Sequence, residues 1–138
     1  MKTVFVDSLY WIARVNPKDP WHEATKQAKT ALGKTFLVTT DEVLAEFLAG
    51  MSKGGPILRQ KAVQTVRAIL GNANTKVVPQ SRGSFLKALD RYARRGDKEY
   101  SLVDCSSMNA MEAEGIRESL TNDRHFEQEG FVRLIRKD

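Results

Sequence analysis

The sequence is poor in the residues that form disulfides and zinc sites. Its 138 residues include one cysteine, Cys105, and two histidines, His22 and His125. A single cysteine cannot form an internal disulfide, and these three residues do not supply a four-ligand zinc set. A lone cysteine that packs as a small apolar side chain is typical of reducing compartments, so we expect a cytoplasmic protein.

Long apolar runs, internal repeats and low-complexity segments are also missing from the sequence. The first apolar stretch is interrupted at Asp7, before a signal-peptide core forms, and no run reaches membrane-spanning length. We therefore expect a soluble protein without membrane partners. The length and the 41% hydrophobic content predict a single domain over residues 1–138. The net charge of +5 favours approach to a polyanion.

Short apolar segments alternate with amphipathic helical segments along the chain. This alternation predicts an α/β protein, a three-layer sandwich around a mostly parallel central sheet of four to five strands. Within the helical segments, apolar residues recur at the spacing of one helix face, as Val43, Leu44 and Phe47 do. The predicted strands are 3–6, 36–40, 77–78, 116–121 and 131–135. The predicted helices are 9–13, 21–32, 41–51, 57–71, 84–96 and 102–114.

Four acidic residues stand where such a fold gathers ligands. Asp7 follows the first strand, Asp123 follows the strand that ends near Thr121, and Glu46 lies on the helix that leaves the second strand. Asp104 lies in the first turn of the helix that begins at Leu102. Because ligands bind outside the carboxyl ends of parallel strands, we expect these carboxylates to converge on one edge of the sheet.

Convergence of these carboxylates has an electrostatic cost that a cation offsets. Two unit charges about 4 Å apart repel by roughly 4 kcal/mol at an effective dielectric constant near 20. Oxygen ligands favour a hard cation such as Mg²⁺ or Mn²⁺, which also accepts phosphate oxygens. An acidic metal site in a basic protein indicates phosphodiester hydrolysis, in which the ion activates water.

Each acid also has an ordinary structural explanation. Asp7 suits a helix cap, Asp123 suits a loop, and Ser101 to Asp104 matches a capping box. Only the combination of all four favours a functional site. His125 is interpreted as a structural polar residue. Basic side chains that are candidates for phosphate contacts are Arg91, Arg94, Arg95, Lys98, Lys53, Arg59 and Arg67, although charges on an exposed helix are usually solvated.

Glu42 and Glu46 compete for one position, since they lie one helical turn apart. Glu46 is nearer to the apolar face of the helix, and Glu42 fits a capping box that begins at Thr39. We therefore assign Glu46 to the metal site and Glu42 to the helix cap.

Four segments, "VFVDSLYWIA", "TTDEVLAEFL", "DKEYSLVDCSSMNAMEAEGI" and "SLTNDRHFEQEGF", resemble the successive motifs of PIN-domain ribonucleases, especially the VapC-type toxin branch. The resemblance implies a PIN fold and a Mg²⁺- or Mn²⁺-dependent endoribonuclease. It places Asp7, Glu46, Asp104 and Asp123 in the catalytic metal site, with the Thr121 hydroxyl supporting them. Many relatives carry a further acid near the last motif, where this chain has Asn122 and Arg124, so one metal ion and two remain alternatives.

The toxin branch also implies protein partners. Its members commonly form homodimers and are inhibited by a small antitoxin that enters the active-site groove. By this resemblance, residues 50–72 form a helical hairpin for dimer or antitoxin contacts, while its apolar residues are equally compatible with ordinary core packing.

Three other functions compete with this hypothesis. A non-catalytic PIN domain that binds RNA or acts as a scaffold would keep the same fold. A phospho-accepting receiver domain needs an acidic pair after the first strand, where Asp7 is followed by Ser8, and a late lysine, where the last motif has Asp123. A haloacid-type phosphatase needs a second aspartate two positions after the first, which "VDSLYW" lacks.

Overall fold

A five-stranded parallel sheet forms the centre of the molecule. The computed structural model describes residues 1–137. All neighbouring strands pair in parallel, and their order across the sheet is β3-β2-β1-β4-β5. The strands are β1 (Lys2–Val6), β2 (Thr35–Thr40), β3 (Thr75–Val78), β4 (Glu118–Leu120) and β5 (Val132–Arg133).

Helices cover both faces of the sheet. Crossovers between parallel strands are right-handed. The connections from β1 through β2 to β3 therefore place their helices on one face of the sheet. The connection from β3 back to β4 runs in the opposite direction, so its helices lie on the other face. The expected three-layer α/β sandwich is confirmed. The helices are α1 (Ser8–Val15), α2 (His22–Leu32), α3 (Asp41–Met51), α4 (Gly55–Leu70), α5 (Arg82–Arg94), α6 (Leu102–Glu114) and α7 (His125–Gln128).

The central strand β1 is apolar because both of its faces are covered. Val4, Phe5 and Val6 are fully buried. Phe5 pairs with Val38 of β2 on one side and with Ser119 of β4 on the other. Cys105 is also fully buried, as expected for a small apolar side chain.

The order of the strands reverses direction at β1. The chain proceeds outward from β1 through β2 to β3 and then crosses back to β4 on the other side. Adjacent connections therefore diverge at the carboxyl end of β1, which opens a crevice there. Asp7 is the first residue after this strand.

The last strands are shorter than predicted. Ile116 and Phe131 are buried in the core just before the strands that were expected to include them. Beyond the short ladder, Ile135 still donates its backbone N–H to the carbonyl of Thr121 at 3.1 Å. The single-turn helix α7 was not predicted. Within residues 1–137, no helix combines the length and apolarity needed to cross a membrane.

Candidate active site

Asp7 caps a helix at the carboxyl end of the central strand. It is the N-cap of α1, and its Oδ1 accepts a hydrogen bond from the backbone N–H of Ser8 at 2.9 Å. Its Oδ2 accepts a hydrogen bond from the hydroxyl of Thr121 at 2.8 Å. The residue is only 6% exposed. Capping α1 therefore fixes the Asp7 carboxylate at the end of the central strand.

Glu46 is held in the same crevice by α1. Its carboxylate accepts a hydrogen bond from the hydroxyl of Ser8, the first residue of α1. Glu46 is half-buried, while Ser8 is buried. Ser8 therefore links two predicted site residues, since its backbone binds Asp7 and its side chain binds Glu46.

The prediction that Glu42 takes part in a capping box was wrong. Strand β2 extends through Thr40, so α3 begins one residue later than the box requires, and Thr40 is the cap. The Thr40 hydroxyl accepts the backbone N–H of Val43 at 3.0 Å, whereas the Thr39 hydroxyl donates to the Val6 carbonyl. Glu42 instead accepts a hydrogen bond from the Ser106 hydroxyl at 2.6 Å.

Asp104 also has both a structural role and a place in the crevice. The Ser101 hydroxyl accepts the Asp104 backbone N–H, and Asp104 Oδ2 accepts the Ser101 backbone N–H, both at 3.0 Å. This reciprocal capping box begins α6. The same Oδ2 lies 3.3 Å from Nδ1 of His125, so the cap holds the Asp104 carboxylate toward the loop after β4.

Asp123 is positioned by Thr121 and by its own turn. The Thr121 hydroxyl accepts the backbone N–H of Asp123 at 3.0 Å while donating to Asp7. Asp123 Oδ1 accepts the backbone N–H of His125 at 2.9 Å. Thr121 is fully buried, so its hydroxyl joins the ends of β1 and β4. This contact agrees with the supporting position predicted for Thr121.

Sequence reasoning did not place His125 in the site, yet the structure does. Its Nδ1 lies 3.3 Å from Asp104 Oδ2 and 3.2 Å from Asp123 Oδ1. Ligand atoms of Asp104, Asp123 and His125 all lie within 4.8 Å of one another. The available signal was that His125 closely follows Asp123, but its orientation depends on α7, which no local pattern predicted.

Burial and mutual repulsion raise the pKa values of Asp7, Glu46 and Asp104. Burial raises the pKa of Asp7 to about 7, and the charges of Glu46 and Asp104 add to this effect. Burial also raises the pKa of Glu46, and the charges of Asp104 and Asp123 raise it further. The pKa of Asp104 is raised for the same reasons, burial first and then the charge of Asp123. Asp104 and Asp123 lie in one group with His125, and hydrogen bonds of Ser8 and Thr121 connect Asp7 to Glu46 and to the Asp123 backbone.

The donor set fits a divalent cation. The group offers carboxylate oxygens, which are ligands for Mg²⁺ and Mn²⁺, and one imidazole nitrogen, which suits transition-metal ions. Within residues 1–137, no lysine or arginine forms an ion pair with Asp7, Glu46, Asp104 or Asp123. A bound cation would offset the repulsion that raises these pKa values.

Comparison with known proteins gives consistent matches over most of the chain. Residues 4–131 match the family model described as the PIN domain. The 23S rRNA-specific endonuclease VapC20 of two Mycobacterium tuberculosis strains, CDC 1551 and H37Rv, is 26% identical over 131 residues, which are 95% of this chain and 97% of VapC20. The crystal structure of M. tuberculosis VapC20, described as a sarcin-ricin loop cleaving toxin, superposes with a TM-score of 0.82 at 26% identity and covers 94% of this chain and 96% of that chain.

Proposed function

The chain belongs to the PIN-domain family, and from this we propose that it is an endoribonuclease that hydrolyses RNA phosphodiester bonds. The observation that carries the proposal is the grouping of acids at the carboxyl ends of β1 and β4. Ser8 bonds both Asp7 and Glu46, the Thr121 hydroxyl bonds Asp7 and the Asp123 backbone, and ligand atoms of Asp104 and Asp123 lie within 4.8 Å of one another. The similarity to an rRNA endonuclease over nearly the whole chain supports RNA as the substrate.

We propose that Asp7, Glu46, Asp104 and Asp123 are the catalytic residues and that they hold Mg²⁺ or Mn²⁺. When bound, such an ion lowers the pKa of water and offsets charge on the phosphate. The chain itself fixes the ligands before substrate arrives. Ser8 orients Asp7 and Glu46, and the Thr121 hydroxyl joins Asp7 to the loop of Asp123.

One of the basic residues that the sequence suggested for phosphate contacts is excluded because its side chain is buried. Arg91 is buried and donates to Glu112 at 2.7 Å and to Glu129 at 3.1 Å. Its charge is therefore neutralised inside the protein. Arg94 and Lys98 are exposed and remain candidates for phosphate contacts.

We further propose a toxin role with the partners that such a role implies. These are an antitoxin protein and a second copy of this chain, in the cytoplasm, with residues 1–138 acting as one domain. Helix α4 has apolar side chains that support surface contacts, since Ile57 is 70% and Leu70 is 59% exposed. Ile69 is buried, so only part of this segment belongs to the core.

Glu46 and Glu42 offer a matched test of the active site. Both are half-buried glutamates of α3, but only Glu46 shares the crevice with Asp104 and Asp123. We expect Glu46→Gln to lower the rate of RNA cleavage by more than about 100-fold, the upper end of the loss from outer-shell partners. Glu42→Gln should retain cleavage. Equal effects of the two variants would contradict the proposal.

The experiment also separates the enzyme from a non-catalytic PIN domain. Cleavage should require added Mg²⁺ or Mn²⁺ and stop with a chelator. RNA binding without cleavage, across varied RNAs and with either ion, would favour the non-catalytic function. Cleavage that persists in chelator would overturn the metal role.

A further inference from the structure

His125 stands among the predicted metal ligands although it is not an acid. Its Nδ1 is 3.3 Å from Asp104 Oδ2 and 3.2 Å from Asp123 Oδ1. Adjacent ligand atoms of an octahedral ion with bonds of about 2.1–2.2 Å lie roughly 3 Å apart. Nδ1 therefore has the spacing of a neighbouring ligand from each of the two oxygens, and the ligand atoms of the three residues all lie within 4.8 Å of one another. We propose that Nδ1 of His125 is a nitrogen ligand of the divalent cation and that it makes the site select Mn²⁺ over Mg²⁺.

This inference rests on the proposed metal site and adds to its ligand chemistry. Mg²⁺ prefers oxygen ligands, whereas imidazole suits transition metals and increases their affinity relative to Mg²⁺. A site of carboxylates alone would discriminate less between the two ions. In the ligated state Nδ1 presents its lone pair to the ion, and the ring proton lies on Nε2.

The ring of His125 is held by a buried aromatic side chain. Tyr100 contacts the imidazole edge-to-face, with ring centroids 5.3 Å apart and planes at 65°. Tyr100 is only 4% exposed. The backbone N–H of His125 donates to Asp123 Oδ1 at 2.9 Å. The backbone and the ring are therefore both fixed next to Asp123.

A charged network fixes Tyr100 in turn. Its hydroxyl donates to Glu129 Oε2 at 3.0 Å. Glu129 also accepts hydrogen bonds from Arg91 and Arg95, each at 3.1 Å. The side chains of Glu129 and Arg91 are each 8% exposed, so the pair is largely removed from water. These hydrogen bonds hold the Tyr100 ring in place, and its edge-to-face contact presets the orientation of His125.

His22 provides a matched control. Its Nδ1 lies 2.6 Å from the Ala13 carbonyl oxygen, an acceptor, so this nitrogen carries the proton. The residue begins α2, and its ring is hydrogen-bonded to Ala13 of α1 and not to any of the four acids. A nitrogen signal from His125 is therefore distinguishable from one due to the other histidine of the chain.

Pulsed electron paramagnetic resonance of Mn²⁺-loaded protein tests the inference. Wild type and His22→Gln should show ¹⁴N coupling from a directly bound imidazole, and His125→Ala and His125→Gln should lose it. By calorimetry, we expect His125→Gln to weaken Mn²⁺ binding at least about tenfold and Mg²⁺ binding by less than about threefold. Circular dichroism shows whether both His125 variants fold, and the glutamine retains a polar group at this position.

The outcomes separate this inference from the proposed function. Bound Mn²⁺ without ¹⁴N coupling, coupling that survives both His125 variants, or failure of wild type to bind Mn²⁺ would overturn the inference. RNA cleavage is measured on the same wild-type samples. Cleavage without ¹⁴N coupling overturns the inference alone, whereas coupling without cleavage overturns the endoribonuclease proposal alone.

Discussion

Folding disfavours the ionised form of the Asp7 carboxyl group, because the group becomes buried. Burial raises its pKa from 3.8 to about 7, so the carboxyl group is protonated in the folded state at pH values where it is ionised in the unfolded chain. Its contribution to the free energy of unfolding is complete below about pH 4 and is lost as the pH rises through about 7. Without metal, the protein is therefore expected to lose stability across this window.

Replacing Asp7 with asparagine removes that penalty and keeps an acceptor for the Ser8 N–H, but it removes the acceptor for the Thr121 hydroxyl. At about 1.4 kcal/mol per pH unit, the free energy of unfolding of the variant relative to wild type should rise by on the order of 4 kcal/mol from about pH 4 to above pH 7. We expect metal-free Asp7→Asn to unfold at a higher urea concentration than wild type at about pH 8, with the difference shrinking toward about pH 4.

Two controls sharpen the Asp7 prediction. Asp97→Asn alters a side chain that is 72% exposed, and it should show no such pH-dependent difference. Added Mn²⁺ should stabilise wild type at high pH and stabilise Asp7→Asn much less, since the ion binds the folded state. A stability difference that does not vary with pH would contradict the burial of an ionisable Asp7.

Thr121 joins two strands through one hydroxyl. Thr121→Val keeps the shape but removes the bonds to Asp7 and to the Asp123 N–H, so we expect a loss of about 1–3 kcal/mol in the free energy of unfolding. The rate of RNA cleavage should fall about 10–100-fold, as for other residues that orient ligands. Thr121→Ser keeps the hydroxyl and should retain most cleavage; equal losses in both variants would contradict this role.

Two helices begin with the same device, a reciprocal capping box. Ser81 and Ser84 cap α5, while Ser101 and Asp104 cap α6. Ser81→Ala and Ser101→Ala should each lower the free energy of unfolding by about 1 kcal/mol. Only Ser101→Ala should also weaken Mn²⁺ binding, because its partner is a proposed ligand. Urea unfolding and calorimetry check both effects, and equal Mn²⁺ affinities in the two variants would contradict the dual role of Asp104.

Helices with strong local signals were predicted well from the sequence. The predicted bounds of α6, Leu102 to Glu114, match the structure, because a capping box begins the helix and Gly115 ends it in the left-handed conformation at φ 68°. Strands β4 and β5 were predicted too long, since their limits depend on pairing with other strands. The single turn of α7 lacked an apolar repeat and was not predicted.

The common location of the proposed acids was predictable because the parallel sheet itself brings strand ends together. The hydrogen bonds that hold these acids were not predictable. Ser8 binds Glu46 across 38 residues, and Ser106 binds Glu42 across 64 residues, so no local pattern contains either pair. The place of His125 depends on Tyr100, which comes from a different segment. Tertiary packing therefore decides which polar side chains complete the site.

The charge of the protein as a whole predicts how RNA binding responds to salt. The net charge is +5, and the exposed basic residues Arg94 and Lys98 are candidates for phosphate contacts. For a single strand, each neutralised phosphate contributes about −0.7 to the slope of log affinity against log salt. We expect the affinity of Glu46→Gln for single-stranded RNA, measured by fluorescence anisotropy, to fall steeply between about 50 and 200 mM salt. A flat response would contradict electrostatic binding.

The contact between Thr121 and Asp7 joins residues 114 positions apart. During translation, Asp7 emerges from the ribosome long before the segment that carries Thr121, Asp123 and His125. A nascent chain that still lacks this segment has an unfinished central sheet and an incomplete set of acids. A nuclease built in this order cannot cut RNA until the segment that closes its site has been made.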